Sequence, residues 1–270
     1  MARRATVDVM SRLRGATILL ATALLPATAL TARAAEGTRE QPEVSYHALR
    51  AHGDLVIDGR GDEPDWRRAA WRPLKYLMDG KAPDSALDFS ARYRALWRSD
   101  AIYLLVELRD DVLLDSVADP LDRYWDDDAL EVFVDEDKAG GPHQFDDAAY
   151  AYHIALDGQV VDIGPRGPDE TPGPRTWPDH VQARWRRDQN DPTLLIWEVR
   201  LQLYAQGQPL QPVRLPADKR IGFMLAYCDS DQAGAGREHF VGDIDVPERN
   251  GSRNLGYLDA DVFGVMRLVE

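Results

Sequence analysis

Arg123-Tyr124-Trp125-Asp126-Asp127-Asp128-Ala129-Leu130-Glu131-Val132-Phe133-Val134-Asp135-Glu136-Asp137 is the stretch on which the fold turns. Its second half alternates. Leu130, Val132 and Val134 point one way, Glu131, Phe133 and Asp135 the other, the period of a strand with one face in a core. Its first half carries Tyr124, Trp125 and a run of Asp, and a core strand needs neither. An aromatic ring beside acceptor oxygens, mounted on a rigid strand, is what a polyhydroxylated ligand or a hard cation requires. The competing reading is an Asp run that only solubilises a strand end.

Strand patterns extend on both sides. Phe89, Ala91, Tyr93, Ala95 and Trp97 alternate with Ser90, Arg92 and Arg94, a turn follows at Arg98-Ser99-Asp100, and Ile102, Leu104, Val106 and Leu108 resume the alternation. This predicts a hairpin with Trp97 on its core face. Residues 150–155 and 159–163 around Asp157-Gly158 predict a second hairpin. Residues 181–187 and 193–201 predict a third, and 221–228, 237–242 and 263–269 complete the strands. Leu55-Val56-Ile57-Asp58-Gly59 reads as a first strand, and Pro64 opens a short helical turn. No segment reads as a helix of more than about two turns. The expectation is an all-β domain, an antiparallel β-sandwich of about ten strands with long end loops, immunoglobulin- or jelly-roll-like.

The beginning of the chain reads differently. Arg3, Arg4, Arg12 and Arg14 precede an apolar run over 15–30, and Ala32-Arg33-Ala34 has small residues spaced for cleavage. The order is that of a secretory signal peptide over 1–34, followed by a polar leader over 35–49 and the domain over 50–270. The expected location is outside the cytoplasm, periplasmic or extracellular. No other apolar run approaches the ~18 residues of a membrane-spanning helix, so an integral membrane protein is not expected. Removing 1–34 takes away five Arg and one Asp and moves the net charge from −14 to −18. Such a surface repels phosphate backbones and anionic membranes, which argues against nucleic acid and favours a neutral ligand or a cation. The single cysteine, Cys228, ends an apolar run and is expected as a buried small hydrophobe.

Three constellations carry chemistry. The first is a sugar platform: Trp125 with Glu131, joined by Tyr152 and His153 on the next strand and by Arg237 and His239 later. Aromatic faces stack on the apolar face of a pyranose while carboxylates and Arg bond its hydroxyls. The competing reading makes Trp125 an end cap and pairs Glu131 with an Arg. The second is a cation site. Asp135-Glu136-Asp137-Lys138-Ala139-Gly140 with Asp146 copies part of an EF-hand loop. Clustered acidic oxygens at 110, 111 and 126–128, with Asp135 and Asp137, suit calcium; Asp126, Asp128, Asp135 and Asp137 are the expected ligands. The third is catalysis. Asp128 and Glu131 are the available carboxylate pair for a glycosidase, but parity sets them on opposite faces. No Gly-x-Ser-x-Gly elbow, His-Glu-x-x-His or phosphate loop is present. His153 and His239 could meet on neighbouring strands and bind a transition metal or haem, an alternative function from a different class.

The run Trp-x-x-Asp-x-Leu-Glu-x-Phe-x-Asp over 125–135 resembles the signature strand of carbohydrate-binding module family 9 and its relatives. Ile57-Asp58-Gly59 with Asp65-Trp66 is similar to the family's opening, residues 97–110 to its hairpin, and Phe263-Gly264 to its ending. The resemblance implies a sandwich in which two Trp rings clamp a terminal sugar, with polar residues on the hydroxyls and structural calcium. Trp125 and Glu131 match the first clamp ring and a hydroxyl-binding carboxylate. The second clamp ring lies late in the family's chain, and Tyr257 is the only aromatic within 241–262 here. The resulting expectation is an exported, non-catalytic carbohydrate-binding protein serving carbohydrate catabolism. Its expected ligand-binding residues are Trp125, Glu131, Tyr152, Arg237 and Tyr257.

Overall fold

The structure is a computed structural model and describes residues 43–164, 171–207 and 209–270. The signal-peptide segment 1–34 and the first part of the leader lie outside the described residues. In chain order the strands begin with β1 (Tyr46–Arg50), β2 (Arg72–Leu74), β3 (Tyr76–Gly80), β4 (Phe89–Arg98), β5 (Ala101–Asp110) and β6 (Ala129–Asp135). They continue with β7 (Ala149–Ala155), β8 (Val160–Gly164), β9 (Gly173–Thr176), β10 (Val181–Arg187) and β11 (Leu194–Leu201). The last are β12 (Tyr204–Ala205), β13 (Gln211–Pro212), β14 (Arg220–Asp229), β15 (His239–Gly242) and β16 (Gly264–Val269). Three short 3-10 turns are the only helices among the described residues. None of them is long and apolar enough to cross a membrane.

The chain is therefore all-β, with more strands than the ten expected. The excess is in short pieces, such as β2, β9, β12 and β13, which are too brief to show a period. Fourteen strands form one sheet whose main path runs β10-β11-β5-β4-β1-β16-β14-β6-β7-β8-β9. Pairing is antiparallel except at β1, which runs parallel to both β4 and β16. Two expectations are corrected here. Residues 46–49, assigned by composition to the polar leader, belong to β1 and lie inside the sheet. Residues 55–59, read as the first strand, form no strand. Their apolar Leu55 and Ile57 instead pack on a side cluster around Trp66 and Leu105.

The sheet curls until its halves share a core. Tyr93 on β4 meets Phe223 on β14 at 5.9 Å between ring centroids, and Phe89 meets Tyr227 at 5.5 Å. β4 and β14 are separated by two strands along the path, so these contacts require the curl. Trp97 is buried at 1% exposure in this core, where its indole N–H donates to the Val269 carbonyl at 2.9 Å. Asp243 ties the two halves of the curled sheet together. It accepts from Arg72 Nε at 2.6 Å, Tyr93 Oη at 2.9 Å and the Leu225 amide at 2.9 Å.

β6 is buried on both faces. Leu130, Val132 and Val134 enter the main core. Phe133, with Met224, Phe240 and Phe263, forms a second, smaller cluster on the opposite face. This second cluster holds up the loops around the candidate site.

Candidate binding site

The site is built on the outer face of β6. Register sets Glu131 opposite His153 on β7 and Ala226 on β14, with Cys228 beside Ala129. The loop leading into β6 is folded by the Asp run itself. Asp127 accepts from the amides of Ser116 at 2.8 Å and Val117 at 2.6 Å, and from Ser116 Oγ at 2.7 Å. Asp128 accepts from the amides of Leu114 at 2.6 Å and Ser230 at 2.8 Å. Arg123 takes a left-handed φ of 42°, an uncommon conformation for a residue with a side chain. It turns the chain so that Tyr124 packs edge-on against both His153 at 5.1 Å and Trp125 at 5.0 Å. Trp125 is left 40% exposed.

A cavity of about 320 Å³ opens over this face. Its lining includes Tyr124, Trp125, Glu131, His153, Asp162, Arg237, Asn254 and Tyr257. The loop bearing Asn254 and Tyr257 is seated by Gly256, where an added Cβ would lie 2.6 Å from the Phe133 ring. Trp125 and Tyr257 thus supply two half-exposed rings to one cavity floored by polar groups.

Glu131 holds the floor. Its Oε1 lies 3.3 Å from His153 Nδ1, accepts from the Cys228 thiol at 3.1 Å, and is 3.9 Å from Arg237 Nη1. Burial opposes its ionisation, but His153, Arg237 and the thiol outweigh burial and hold its carboxyl below the ordinary range. Burial raises the Cys228 thiol well above its usual value, so the sulfur is a protonated donor. Arg237 is fixed from behind by Asp79 Oδ2 at 2.9 Å and by stacking over Phe240 at 4.4 Å. The second ring nitrogen of His153, Nε2, is buried and has no hydrogen-bond partner. A buried polar atom without a partner costs roughly 1–3 kcal/mol, which a ligand hydroxyl or a water would recover. Asp162 accepts from the Ala151 amide at 3.1 Å and lies 3.5 Å from His143 Nε2.

Four of the five expected ligand residues, Trp125, Glu131, Arg237 and Tyr257, line this one cavity. Tyr152 does not. It is fully buried in the main core, its hydroxyl 2.6 Å from His180 Nδ1, because alternation on β7 sends Tyr152 inward when His153 faces out. Tyr124, the other aromatic before β6, lines the cavity as well, and Asp162 and Asn254 join it without having been anticipated. An acid in the apolar strand Val160-Val161-Asp162-Ile163 was a readable signal for Asp162; the loop around Asn254 has no period to read.

The expected cation ligands do not converge. Asp128 precedes β6 and Asp135 ends it, about 23 Å apart at 3.3 Å per residue. Asp126 pairs with Arg123 at 3.3 Å. Asp135 accepts from the amides of Lys138 at 2.8 Å and Gly140 at 2.9 Å, and Asp137 from the Ala139 amide at 3.0 Å. These are turn-forming roles. The carboxylates that do converge are Asp110, Asp229 and Asp231, adjoined by Asp88 and Asp111, with oxygens within 4.8 Å of one another in each group of three. Burial and mutual repulsion push Asp229 up to about 9.

His153 and His239 do not meet either. β6 and β14 lie between β7 and β15, about 14 Å at 4.8 Å per strand. His239 Nδ1 donates instead to the Lys81 carbonyl at 2.7 Å. A shared metal or haem ligand pair is thereby excluded. The Asp128–Glu131 pair is no better placed for glycoside hydrolysis, since Asp128 is turned toward Leu114 and Ser230, away from the cavity.

Over 104 residues the chain is 31% identical to endo-1,4-beta-xylanase A of Thermotoga maritima, covering 38% of this chain and 9% of that enzyme. The fold is similar to a carbohydrate binding module family 9 from Caldicellulosiruptor kristjanssonii solved in complex with cellotriose. The TM-score is 0.57 at 16% identity, over 83% of this chain and 93% of that one. The same module in complex with glucose gives a TM-score of 0.57 at 16% identity, over 82% and 95%. At such identities the likeness is one of fold. The family model described as carbohydrate family 9 binding domain-like matches residues 57–270. The chain belongs to the carbohydrate family 9 binding domain-like family.

Proposed function

We propose that the chain is a carbohydrate-binding protein whose site is the cavity between Trp125 and Tyr257. The observation that carries this reading is that two half-exposed rings, the buried Glu131, His153 and Asp162 and the half-buried Arg237 share one cavity in a member of this family. The rings would stack on the apolar faces of a terminal sugar. Glu131, held ionised, would accept from a pair of hydroxyls, Arg237 would donate, and His153 Nε2 would gain the partner it lacks. Binding by rings and neutral-sugar hydroxyls needs no catalytic group, and the role is non-catalytic. The curled sheet is read as a sandwich of two layers, with the site on an outer face.

Calcium is proposed as a structural ion held by Asp110, Asp229 and Asp231, with Asp88 and Asp111 beside them. An all-carboxylate donor set fits a hard cation, and the ion would neutralise the crowding that raises Asp229. Residues 1–34 are proposed to direct export and to be removed, so that the protein acts in carbohydrate catabolism in the periplasm or outside the cell. N-terminal sequencing of the exported protein checks this: a start near Ala35 is expected, and a start at Met1 opposes it.

Calorimetric titration with glucose, cellotriose and xylo-oligosaccharides tests the binding reading. Saturable heat with at least one of these is expected in the parent protein. Loss of that heat in Trp125→Ala, with folding intact, assigns it to the cavity. Absence of binding to a broad glycan array would overturn it.

A further inference from the structure

Glu131, His153 and Cys228 gather three different donor atoms on three adjacent strands, β6, β7 and β14, with Glu131 on the central one. Glu131 and His153 line the cavity, and Cys228 lies against Glu131. All three are buried, at 8%, 2% and 0% exposure. A carboxylate oxygen, an imidazole nitrogen and a sulfur thus lie within 4.8 Å of one another, on strands whose pairing fixes their backbones.

The spacing is close to that of a coordination shell. Tetrahedral zinc with bonds of about 2.0–2.3 Å has ligand–ligand edges of about 3.3–3.8 Å. Glu131 Oε1 is 3.3 Å from His153 Nδ1 and 3.1 Å from Cys228 Sγ. The third edge, His153 to Cys228, is within 4.8 Å and needs to close by at most about 1 Å. The imidazole is free to take part. Its Nε2 is buried without a partner, so no bond there dictates which nitrogen carries the proton. With the proton on Nε2, Nδ1 presents its lone pair to the group of three. Arg237 is the cation these atoms face in the structure, its Nη1 3.4 Å from Sγ and 3.9 Å from Oε1. Its bond to Asp79 at 2.9 Å and its stacking on Phe240 at 4.4 Å do not involve either atom, so they hold it when another cation takes both.

We infer that Glu131, His153 and Cys228 form a site for a divalent cation of the zinc class, separate from the carboxylates of Asp110, Asp229 and Asp231, and that loading it blocks the sugar cavity. Mixed nitrogen, sulfur and oxygen donors suit such an ion, whereas calcium takes oxygen alone. On binding, the Cys228 S–H bond breaks, a sulfur–metal bond forms, and the proton passes to solvent. Three protein ligands leave a fourth position for water. The block rests on the reading of the cavity as a sugar site: Glu131 Oε1 and the His153 ring, spent on the ion, no longer serve sugar hydroxyls.

Cadmium is the probe. Cys228 is the only cysteine of the chain, so an ultraviolet thiolate-to-cadmium charge-transfer band can come from no other residue. The reduced protein is titrated with cadmium in millimolar calcium, which occupies the carboxylate cluster. The parent is expected to develop the band at one equivalent, and zinc to compete with it. His153→Gln and Glu131→Gln, with folding checked by circular dichroism, should each bind cadmium at least about tenfold more weakly. No band in the parent, or a band of unchanged affinity in His153→Gln, which marks a simple thiol adduct, overturns the site and leaves the sugar reading intact. Calorimetry with cellotriose then tests the block. Saturating zinc should weaken binding at least about tenfold relative to EDTA, since both floor ligands are removed from the sugar. Equal affinity in zinc and EDTA overturns the block. If no sugar binds in EDTA, the sugar reading fails and the block with it, while the cadmium band alone decides the metal site.

Discussion

The two faces of β6 are almost equally buried, yet they are built differently. On the main-core face, Leu130, Val132 and Val134 meet apolar neighbours, and the buried acid of that core, Asp243, has its lone pairs filled by Arg72, Tyr93 and Leu225. On the other face, Glu131 is compensated by the His153 ring, the Cys228 thiol and the Arg237 guanidinium at 3.1–3.9 Å, and His153 Nε2 has no partner. Burial alone does not separate a folding face from a binding face. The main core also holds buried nitrogens without partners, Trp177 Nε1 and Trp197 Nε1, so it is the position of His153 Nε2 in a cavity with the half-exposed Trp125 and Tyr257 rings, and not the missing partner alone, that marks the binding face.

That contrast gives a ladder of stability effects. At the top is Trp97→Ala. Removing a core Trp costs about 3–5 kcal/mol, so the domain is expected to melt at a much lower temperature or fail to fold, seen by circular dichroism. Normal melting would mean that the faces are reversed.

The next rung is the acidic cluster. Asp229 ordinarily titrates at 3.8 and is raised to about 9 in the fold. Between those values the folded state binds the extra proton, so its contribution favours folding at low pH and is lost as pH rises toward 9. In EDTA the melting temperature should therefore decline across that window. In millimolar calcium it should be higher and vary less with pH, the bound ion stabilising the fold by about 2.7 kcal/mol at a hundredfold excess over Kd. Coincident melting profiles in the two conditions would exclude a structural cation there.

Gly256→Ala comes third. Its Cβ would meet the Phe133 ring at 2.6 Å and Met224 Cε at 2.9 Å, and overpacking costs about 1–3 kcal/mol. The loop should shift, carrying Tyr257 away from Trp125, and sugar affinity should fall more than stability does. Glu131→Gln stands below it. It keeps the shape and loses a charged acceptor, a change of about 1–2 kcal/mol in binding. The parent's affinity should hold down to about pH 4.5 and fade below, since Glu131 titrates below its ordinary 4.5.

Much of this was legible in the sequence. The period of two marked β4 through β8 almost to the residue, because long strands with one core face leave a clear pattern. It also pointed Trp97 inward and Trp125 away from the apolar alternation. Tyr46–Arg50 was missed because a strand of five residues inside a polar stretch shows little period, and its parallel pairing depends on β16 at the far end of the chain. Tyr152 was assigned to the wrong face because it stands next to His153, and only the register Glu131↔His153 decides which of the two shares the site. The cation ligands failed for a related reason. Asp density along the chain reflects turns that need acceptors, whereas the carboxylates that gather come from β5, β14 and the loop after β14, which are distant in sequence and joined only by folding.

The most direct measurement pairs melting with binding in a single variant, Trp125→Ala. With its ring 40% exposed and outside the main core, it should cost far less than the ~3–5 kcal/mol of a core Trp. The melting temperature should stay close to the parent's while sugar binding disappears. A collapse of the fold, or binding that persists at the parent's affinity, would contradict the division of β6 into a folding face and a binding face.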